Sequence, residues 1–180
     1  MRIVAGRLRG KALIAPKDRT IRPTGDRVRE ALFNILEHGN PPVRGARFLD
    51  LFAGSGAVGI EAFSRGAAEV WLVDQDIALA ARNRSTLGDP AAIRLERRGA
   101  TSLGAPPEIP FDLAFLDPPY GADLLPPALA GLTQGWLTPE ARIVAELGTK
   151  EPLDLPPDFT LEQERRYGAA RLVFLRPSKA

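Results

Sequence analysis

The chain has no cysteine, one histidine and one methionine among its 180 residues. The lack of cysteine excludes disulfides, thiolate metal sites and a cysteine nucleophile, and a single histidine excludes a histidine-rich metal site. That histidine, His38, precedes Gly39 at the end of a helical pattern, so we interpret it as a solvated cap rather than a catalytic group. No metal site is expected.

Long apolar runs are also missing. No stretch approaches the ~20 residues needed to span a bilayer, and the N-terminus shows no apolar signal segment. We therefore expect a cytoplasmic protein with no membrane partner. The 180 residues are 44% hydrophobic and 26% charged, values typical of a globular domain.

The net charge of +2 is unevenly distributed. Residues 1–47 carry eleven Lys/Arg against four acids, a net charge of +7, and the remaining chain carries thirteen against eighteen, a net charge of −5. A basic arm on a mildly acidic body favours binding of a polyanion through that arm. The alternative is that these charges only keep the protein in solution.

Apolar runs around a Gly/Arg-rich middle in residues 2–14 predict a β-hairpin, and a helix should run from Thr24 or Asp26 to Glu37. From Arg47 onward, strands and helices alternate, which predicts a parallel, doubly wound sheet. We expect a basic extension over 1–40, a main domain over 41–180 and a terminal antiparallel hairpin. The predicted strands are 48–52, 70–73, 93–95, 113–116 and 142–146, with helices at 57–65, 77–87 and 124–132.

A glycine turn, Asp50-Leu-Phe-Ala-Gly-Ser-Gly56, leaves the first of these strands and continues to Gly59. Glycines allow a tight turn and let a ligand approach the backbone. The Gly-x-Gly-x-x-Gly spacing fits dinucleotides as well as S-adenosylmethionine (SAM), or a turn with no ligand. Asp50 favours SAM because it could accept the ammonium of a methionine moiety. Asp74, after the next strand, suits the ribose diol of either cofactor.

A second turn, Asp117-Pro118-Pro119-Tyr120, follows a nearly all-apolar strand. Ligands of open α/β sheets bind at the carboxyl ends of the strands, so Asp117 should face the crevice of the glycine turn. The Asp117 carboxylate and the Pro118 carbonyl can each accept a hydrogen from an exocyclic NH₂, and Tyr120 can stack on the ring that carries it. This arrangement favours methyl transfer to a planar amine over a dehydrogenase.

The two motifs together resemble the amino-methyltransferases of nucleic acids. The segment Arg22-Pro-Thr-Gly-Asp-Arg-Val-Arg-Glu-Ala-Leu-Phe-Asn-Ile-Leu36, after Arg2-Ile-Val-Ala-Gly-Arg-Leu-Arg-Gly-Lys11, resembles the RsmD family over nearly the whole chain. Members of that family methylate the N2 amine of a guanine in bacterial 16S rRNA. The resemblance implies a Rossmann-like SAM-dependent methyltransferase sheet with an N-terminal hairpin extension, acting on an assembling small ribosomal subunit.

The resemblance also implies roles for individual residues. Asp117, Pro118, Pro119 and Tyr120 form the catalytic turn. Gly99 stands where the family usually has Asn or Asp, so the backbone N–H of Ala100 is expected to contact adenine instead. The implied cofactor-binding residues are Asp50, Phe52, Ala53, Gly54, Ser55, Gly56, Asp74, Gln75, Gly99 and Ala100. The charge pattern of the arm itself predicts the RNA-binding residues: Arg7, Arg9 and Lys11, on or near the hairpin turn, are expected to contact phosphates, and Arg22, Thr24 and Arg27 to lie over the cofactor mouth.

Two alternatives remain open at the level of the sequence. A DNA adenine-N6 or cytosine-N4 methyltransferase would use the same chemistry, although 180 residues leave little room for a sequence-reading domain. A non-catalytic RNA-binding assembly factor could keep the fold, although the presence of Asp117 and Tyr120 disfavours it. We expect a monomer that binds 16S rRNA on the small ribosomal subunit or an assembly intermediate.

Overall fold

The computed structural model describes residues 1–16 and 25–178. It contains one seven-stranded sheet with helices on both faces. The helices are α1 (Asp26–Glu37), α2 (Ala57–Ser64), α3 (Ala78–Thr86) and α4 (Leu125–Leu132). The strands are β1 (Arg47–Leu51), β2 (Glu69–Asp74), β3 (Ile93–Arg97), β4 (Phe111–Leu116), β5 (Leu137–Gly148), β6 (Phe159–Tyr167) and β7 (Ala170–Pro177).

The strand order is β3-β2-β1-β4-β5-β7-β6. The first five positions in this order are joined by parallel pairings, whereas β7 pairs antiparallel with both β5 and β6. The order reverses direction between β1 and β4, which opens a crevice at their carboxyl ends. The predicted Rossmann-like sheet and terminal antiparallel hairpin are confirmed.

Burial on both faces explains why the central strands are almost wholly apolar. Phe48 and Phe115 point into one core, which they share with α1 and α2. Leu49 and Ala114, their neighbours along the same strands, point into the opposite core with α4 and Trp136. The two-residue periodicity of a strand therefore supplies both cores from one apolar run.

The predicted N-terminal hairpin is present in a reduced form, as one antiparallel bridge between Arg2 and Ala12. The turn between them bonds to α2 instead: Arg7 N–H donates to the Ser64 carbonyl at 2.9 Å, and Leu8 N–H donates to Ser64 Oγ at 3.0 Å. A Cβ at Gly6 would lie 2.1 Å from the Ser64 carbonyl oxygen, so only glycine permits this approach. The arm is thus fastened to the body of the fold.

A buried ionic cluster completes this attachment. Glu61 in α2 is fully buried and accepts the N–H groups of Val4 and Ala5 at 2.8 and 2.9 Å. The same carboxylate pairs with the buried guanidinium groups of Arg29 and Arg65. A buried charge is tolerated only when it is paired and hydrogen-bonded, and this one joins the arm, α1 and α2. Among the described helices, none is long and apolar enough to cross a membrane.

Candidate active site

A cavity of about 670 Å³ lies at the carboxyl ends of the central strands. It brings together most of the residues predicted to bind the cofactor or to catalyse transfer, although they come from distant parts of the chain. Gly56 and Gly99 belong to the predicted set but do not line the cavity. The predicted residues that line it are Asp50, Phe52, Ala53, Gly54, Ser55, Asp74, Gln75, Ala100, Asp117, Pro118, Pro119 and Tyr120.

The turn after β1 is built from left-handed backbone. Phe52, Gly54 and Gly56 have φ values of 61°, 52° and 75°. Glycine adopts this region freely, but a phenylalanine does so only when the surrounding structure holds it there. The Gly54 N–H donates to Asp74 Oδ2 at 2.8 Å, so β2 fastens the turn.

The last two glycines of the motif serve packing. A Cβ at Gly56 would lie 2.7 Å from Leu72 Cδ1, and one at Gly59 would lie 2.3 Å from Leu72 Cδ2. Such distances are below van der Waals contact, so both glycines let α2 pack closely on β2. Gly56 is buried on this side of the turn, whereas Gly54 faces the cavity.

Asp50 is a buried acid of the site with a strongly raised pKa. It is 2% exposed, and its Oδ2 accepts the Gly59 N–H at 2.8 Å. Burial raises the pKa of Asp50 to about 7, and the nearby Asp74 charge adds to this rise against the opposing effect of the Gly59 bond. A cationic ligand in the cavity would stabilise the ionised carboxylate.

Asp74 and its neighbours Gln75 and Asp76 also line the cavity. Besides holding Gly54, Asp74 accepts the Asp76 N–H at Oδ1 at 3.0 Å. Gly99 lies beside this segment, where an added Cβ would be 3.4 Å from Gln75 Nε2. Ala100, the next residue, is buried and lines the cavity.

The turn of residues 117–120, which is predicted to be catalytic, follows β4 directly. The Asp117 N–H donates to the Leu51 carbonyl at 3.3 Å, which fixes the start of the turn against β1. Pro118 is buried, whereas Pro119 and Tyr120 are exposed. Gly121, at φ 70°, reverses the chain so that the Ala122 N–H reaches the Pro119 carbonyl. The aromatic ring therefore lies at the mouth of the cavity.

Two glutamates that the sequence analysis did not single out support this turn. Glu146 in β5 is 4% exposed, lines the cavity and accepts the Tyr120 hydroxyl at 3.1 Å. Glu151 accepts the N–H groups of Gly121 and Gly148, which joins the turn to the end of β5. The sequence signal that could have identified Glu146 is that it is the one acid within the apolar run 143–147 of β5.

The cavity fits the implied cofactor on its own geometry. Its volume falls within the ~300–1,000 Å³ of small-molecule sites. The buried carboxylate of Asp50 suits a cationic amino-acid moiety, Asp74 offers acceptors for hydroxyl groups, and the backbone at Gly54 can be approached closely. Among residues 1–16 and 25–178, no cluster of three or more His, Cys, Asp or Glu side chains could hold a metal ion.

Four of the predicted RNA-binding residues belong to the described part of the chain, and Arg7, Arg9, Lys11 and Arg27 do not line the cavity. Arg9 and Lys11 are exposed on the arm, and Arg27 is exposed on α1. The carbon of the Arg7 guanidinium lies 3.8 Å from the centroid of the Phe63 ring, and Arg7 is exposed. Arg22 and Thr24 lie outside the described residues. Pro16, which the sequence analysis also missed, brings the arm to the cavity wall.

Comparison with known proteins identifies the family. The model of the family described as Conserved hypothetical protein 95 matches residues 1–176. Ribosomal RNA small subunit methyltransferase D of Escherichia coli is 39% identical over 173 residues, covering 93% of this chain and 85% of the relative. The protein of the same name from Haemophilus influenzae is 38% identical, with 93% and 89% coverage.

A solved structure agrees with this assignment. The Escherichia coli protein YhhF superposes with a TM-score of 0.84 at 36% identity, covering 98% of this chain and 97% of that one. The predicted resemblance to the RsmD family is thereby confirmed. The chain belongs to the family of ribosomal RNA small subunit methyltransferase D.

Proposed function

We propose that this protein transfers a methyl group from SAM to the exocyclic N2 amine of a guanine in 16S rRNA. The family assignment confirms the predicted enzyme class, a methyltransferase acting on ribosomal RNA. The observation that carries the finer proposal is the meeting of Asp50 and Asp117 in one cavity. One acid is placed for a cationic cofactor, and the other for an amine.

The cofactor assignment is supported by the walls of the cavity. Asp50 would accept the ammonium of SAM, Asp74 and Gln75 would hold the ribose, and the backbone of Ala100 would lie by the adenine. When bound, SAM supplies a methyl group on a sulfonium, which is a good leaving group. The residues of this chain need mainly to position the amine, which can supply a large share of the rate.

The catalytic turn would do this positioning. The Asp117 carboxylate and the Pro118 carbonyl each accept one N2 hydrogen, which aims the nitrogen lone pair at the methyl group. The charge that develops on the nitrogen is stabilised by Asp117, which can also take the proton. Tyr120 stacks on the guanine ring, and the base must be splayed from its helix or loop to reach it.

Binding of the RNA is assigned to the basic arm. Arg7, Arg9 and Lys11 would contact phosphates, and Arg27, with Arg22 and Thr24, would lie nearer the cofactor mouth. We propose the small ribosomal subunit or an assembly intermediate as the substrate particle, a monomeric enzyme and a cytoplasmic location. The division into a 1–40 RNA-binding extension and a 41–180 methyltransferase domain belongs to this proposal.

The test is methyl transfer from labelled SAM to small subunits that lack their native modifications, with free 16S rRNA and DNA in parallel. Nucleoside mass spectrometry should find N2-methylguanosine, and Asp117→Asn should lower transfer by at least ~100-fold while SAM still binds in calorimetry. Label in DNA would favour the adenine or cytosine methyltransferase. Full function of Asp117→Ala would favour the non-catalytic assembly factor.

A further inference from the structure

Glu146 is a second acid at the catalytic end of the cavity. In the parallel pairing of β4 and β5, Leu116 lies opposite Ala145. The next residues, Asp117 directly after β4 and Glu146 within β5, therefore lie at corresponding positions on neighbouring strands, which are ~4.8 Å apart. Both side chains line the cavity, and Glu146 is buried. The target base would meet two carboxylates rather than one.

Tyr120 connects this second acid to the base-stacking position. Its hydroxyl donates to Glu146 Oε1 at 3.1 Å. A carboxylate offers about four lone-pair positions, so it can accept further hydrogen bonds beside this one. Glu146 binds the hydroxyl of the Tyr120 ring on which the base would stack. The Glu146 carboxylate therefore lies near the edge of a base stacked on that ring.

The donor pattern of guanine suits such a pair of acceptors. Its Watson–Crick edge presents three adjacent N–H donors, two on N2 and one on N1. In adenine and cytosine, the ring nitrogen beside the amine carries a lone pair instead of a hydrogen. A buried carboxylate that faces this lone pair receives no hydrogen bond and repels the lone pair electrostatically. Sites with such unpaired buried polar groups strongly reject the wrong ligand.

We propose that Glu146 accepts the N1–H of the target guanine, while Asp117 and the Pro118 carbonyl accept the N2 hydrogens. Glu146 would thus select guanine over adenine and cytosine. This inference rests on the proposed transfer to guanine N2 and adds the residue that determines the base.

The experiment first separates the two proposals. Wild-type protein is assayed on small subunits that lack their modifications, and the methylated nucleotide is mapped. N2-methylguanosine at one position establishes the transfer without reference to Glu146. Subunits are then rebuilt with 16S rRNA that carries 2-aminopurine at this position, a base that keeps the N2 amine but has an acceptor at N1. Methylation of guanine should exceed that of 2-aminopurine by ~10–100-fold in kcat/KM.

The variant Glu146→Gln, whose amide can donate to N1, should lower kcat/KM for guanine by ~10–100-fold and narrow or reverse the preference over 2-aminopurine. Tyr120→Phe removes only the hydroxyl bond and should keep the preference for guanine. Equal losses on both bases in Glu146→Gln would reduce Glu146 to a support for Tyr120 and overturn the proposal. Equal rates on both bases with the wild type would overturn it even if the variant failed to fold.

Discussion

Asn83 forms hydrogen bonds with both the N–H and the carbonyl of Ile14. Its Oδ1 accepts the Ile14 N–H at 2.7 Å, and its Nδ2 donates to the Ile14 carbonyl at 3.1 Å. The same Nδ2 donates to the Ser55 carbonyl at 2.9 Å, and Asn83 is fully buried. One side chain of α3 therefore joins the end of the basic arm to the turn that is predicted to bind the cofactor.

The first prediction follows from this bridge. Asn83→Asp keeps the acceptor for Ile14 but replaces both donors with a buried negative charge facing two carbonyls. We expect a loss of ~2–4 kcal/mol in the free energy of unfolding and at least ~10-fold weaker SAM binding. Urea unfolding and calorimetry measure the two effects, with the exposed Asn34→Asp as control. Unchanged SAM affinity would limit Asn83 to anchoring the arm.

The second prediction concerns the arm. Arg9→Glu combined with Lys11→Glu reverses two exposed charges that lie outside the cavity. RNA binding should weaken at least ~10-fold, and its dependence on log[salt] should flatten by about 0.7–0.9 for each phosphate that the arm no longer neutralises. SAM affinity should be unchanged. The matched control is Arg165→Glu, an exposed position on β6, which should leave the RNA affinity nearly unchanged.

Adding Arg7→Glu to this variant tests the original set of three. Arg7 also stacks on Phe63, so its reversal should cost some stability in addition to RNA affinity. Loss of SAM binding in the two-residue variant would contradict the assignment of these residues to RNA alone, because neither lines the cavity.

The meeting of Asp50 and Asp117 could be predicted because it depends only on local signals. Each acid lies in or directly after a buried apolar run, and the carboxyl ends of parallel strands lie at one edge of a sheet. The same logic gave β1, β2 and β4 to within two residues of their observed bounds. Backbone position carries this information, and no tertiary contact has to be known.

The contacts of Glu146, Asn83 and Arg29 could not be predicted in this way. Each is a polar residue whose partner lies far away in the sequence: Tyr120, Ile14 and Glu61 respectively. A helix pattern places an arginine such as Arg29 on the solvent side, yet it is fully buried because the arm covers it. The reduced hairpin has a similar cause, since the turn of the arm gives the N–H groups of Arg7 and Leu8 to Ser64 in α2.

The third prediction tests the strain at Phe52. At φ 61°, a non-glycine residue costs ~1–2 kcal/mol. Phe52→Gly and Phe52→Ala both remove the ring, but only glycine relieves the backbone. The glycine variant should therefore be more stable than the alanine variant by about 1 kcal/mol in urea unfolding.

Phe63, in helical backbone, provides the control for this comparison. There the order should reverse, with glycine less stable than alanine by about 1 kcal/mol. Alanine more stable than glycine at both positions would mean that the turn gains nothing from relief of the φ angle at Phe52.

The fourth prediction concerns pH. The pKa of Asp50 is raised in the folded protein to about 7 from an ordinary value of 3.8, so the folded state binds the proton more tightly than the unfolded state. The stability contributed by this group falls as pH rises from about 4 to about 7 and is constant above that range. Above about pH 7, the buried, ionised carboxylate of Asp50 lowers the free energy of unfolding by up to about 4 kcal/mol.

Asp50→Asn removes this cost and keeps an acceptor for the Gly59 N–H. The variant should be more stable than the wild type at about pH 8 by a few kcal/mol, and the difference should shrink towards about pH 4. The variant should bind SAM more weakly than the wild type, because the cationic ligand favours the ionised carboxylate that the variant lacks.

In the wild type, SAM affinity should rise as pH increases through about 7. At about pH 6.5, SAM binding should release protons from Asp50, and calorimetry in two buffers of different ionisation enthalpy measures how many. Asp50→Asn is the control, because any pH dependence that it retains does not come from Asp50. This variant should bind SAM weakly, and its SAM affinity should change little over the same pH range. If this variant bound SAM as tightly as the wild type at about pH 8, Asp50 would shape the turn without contacting the cation, because an amide cannot replace the charge of a carboxylate in binding an ammonium group.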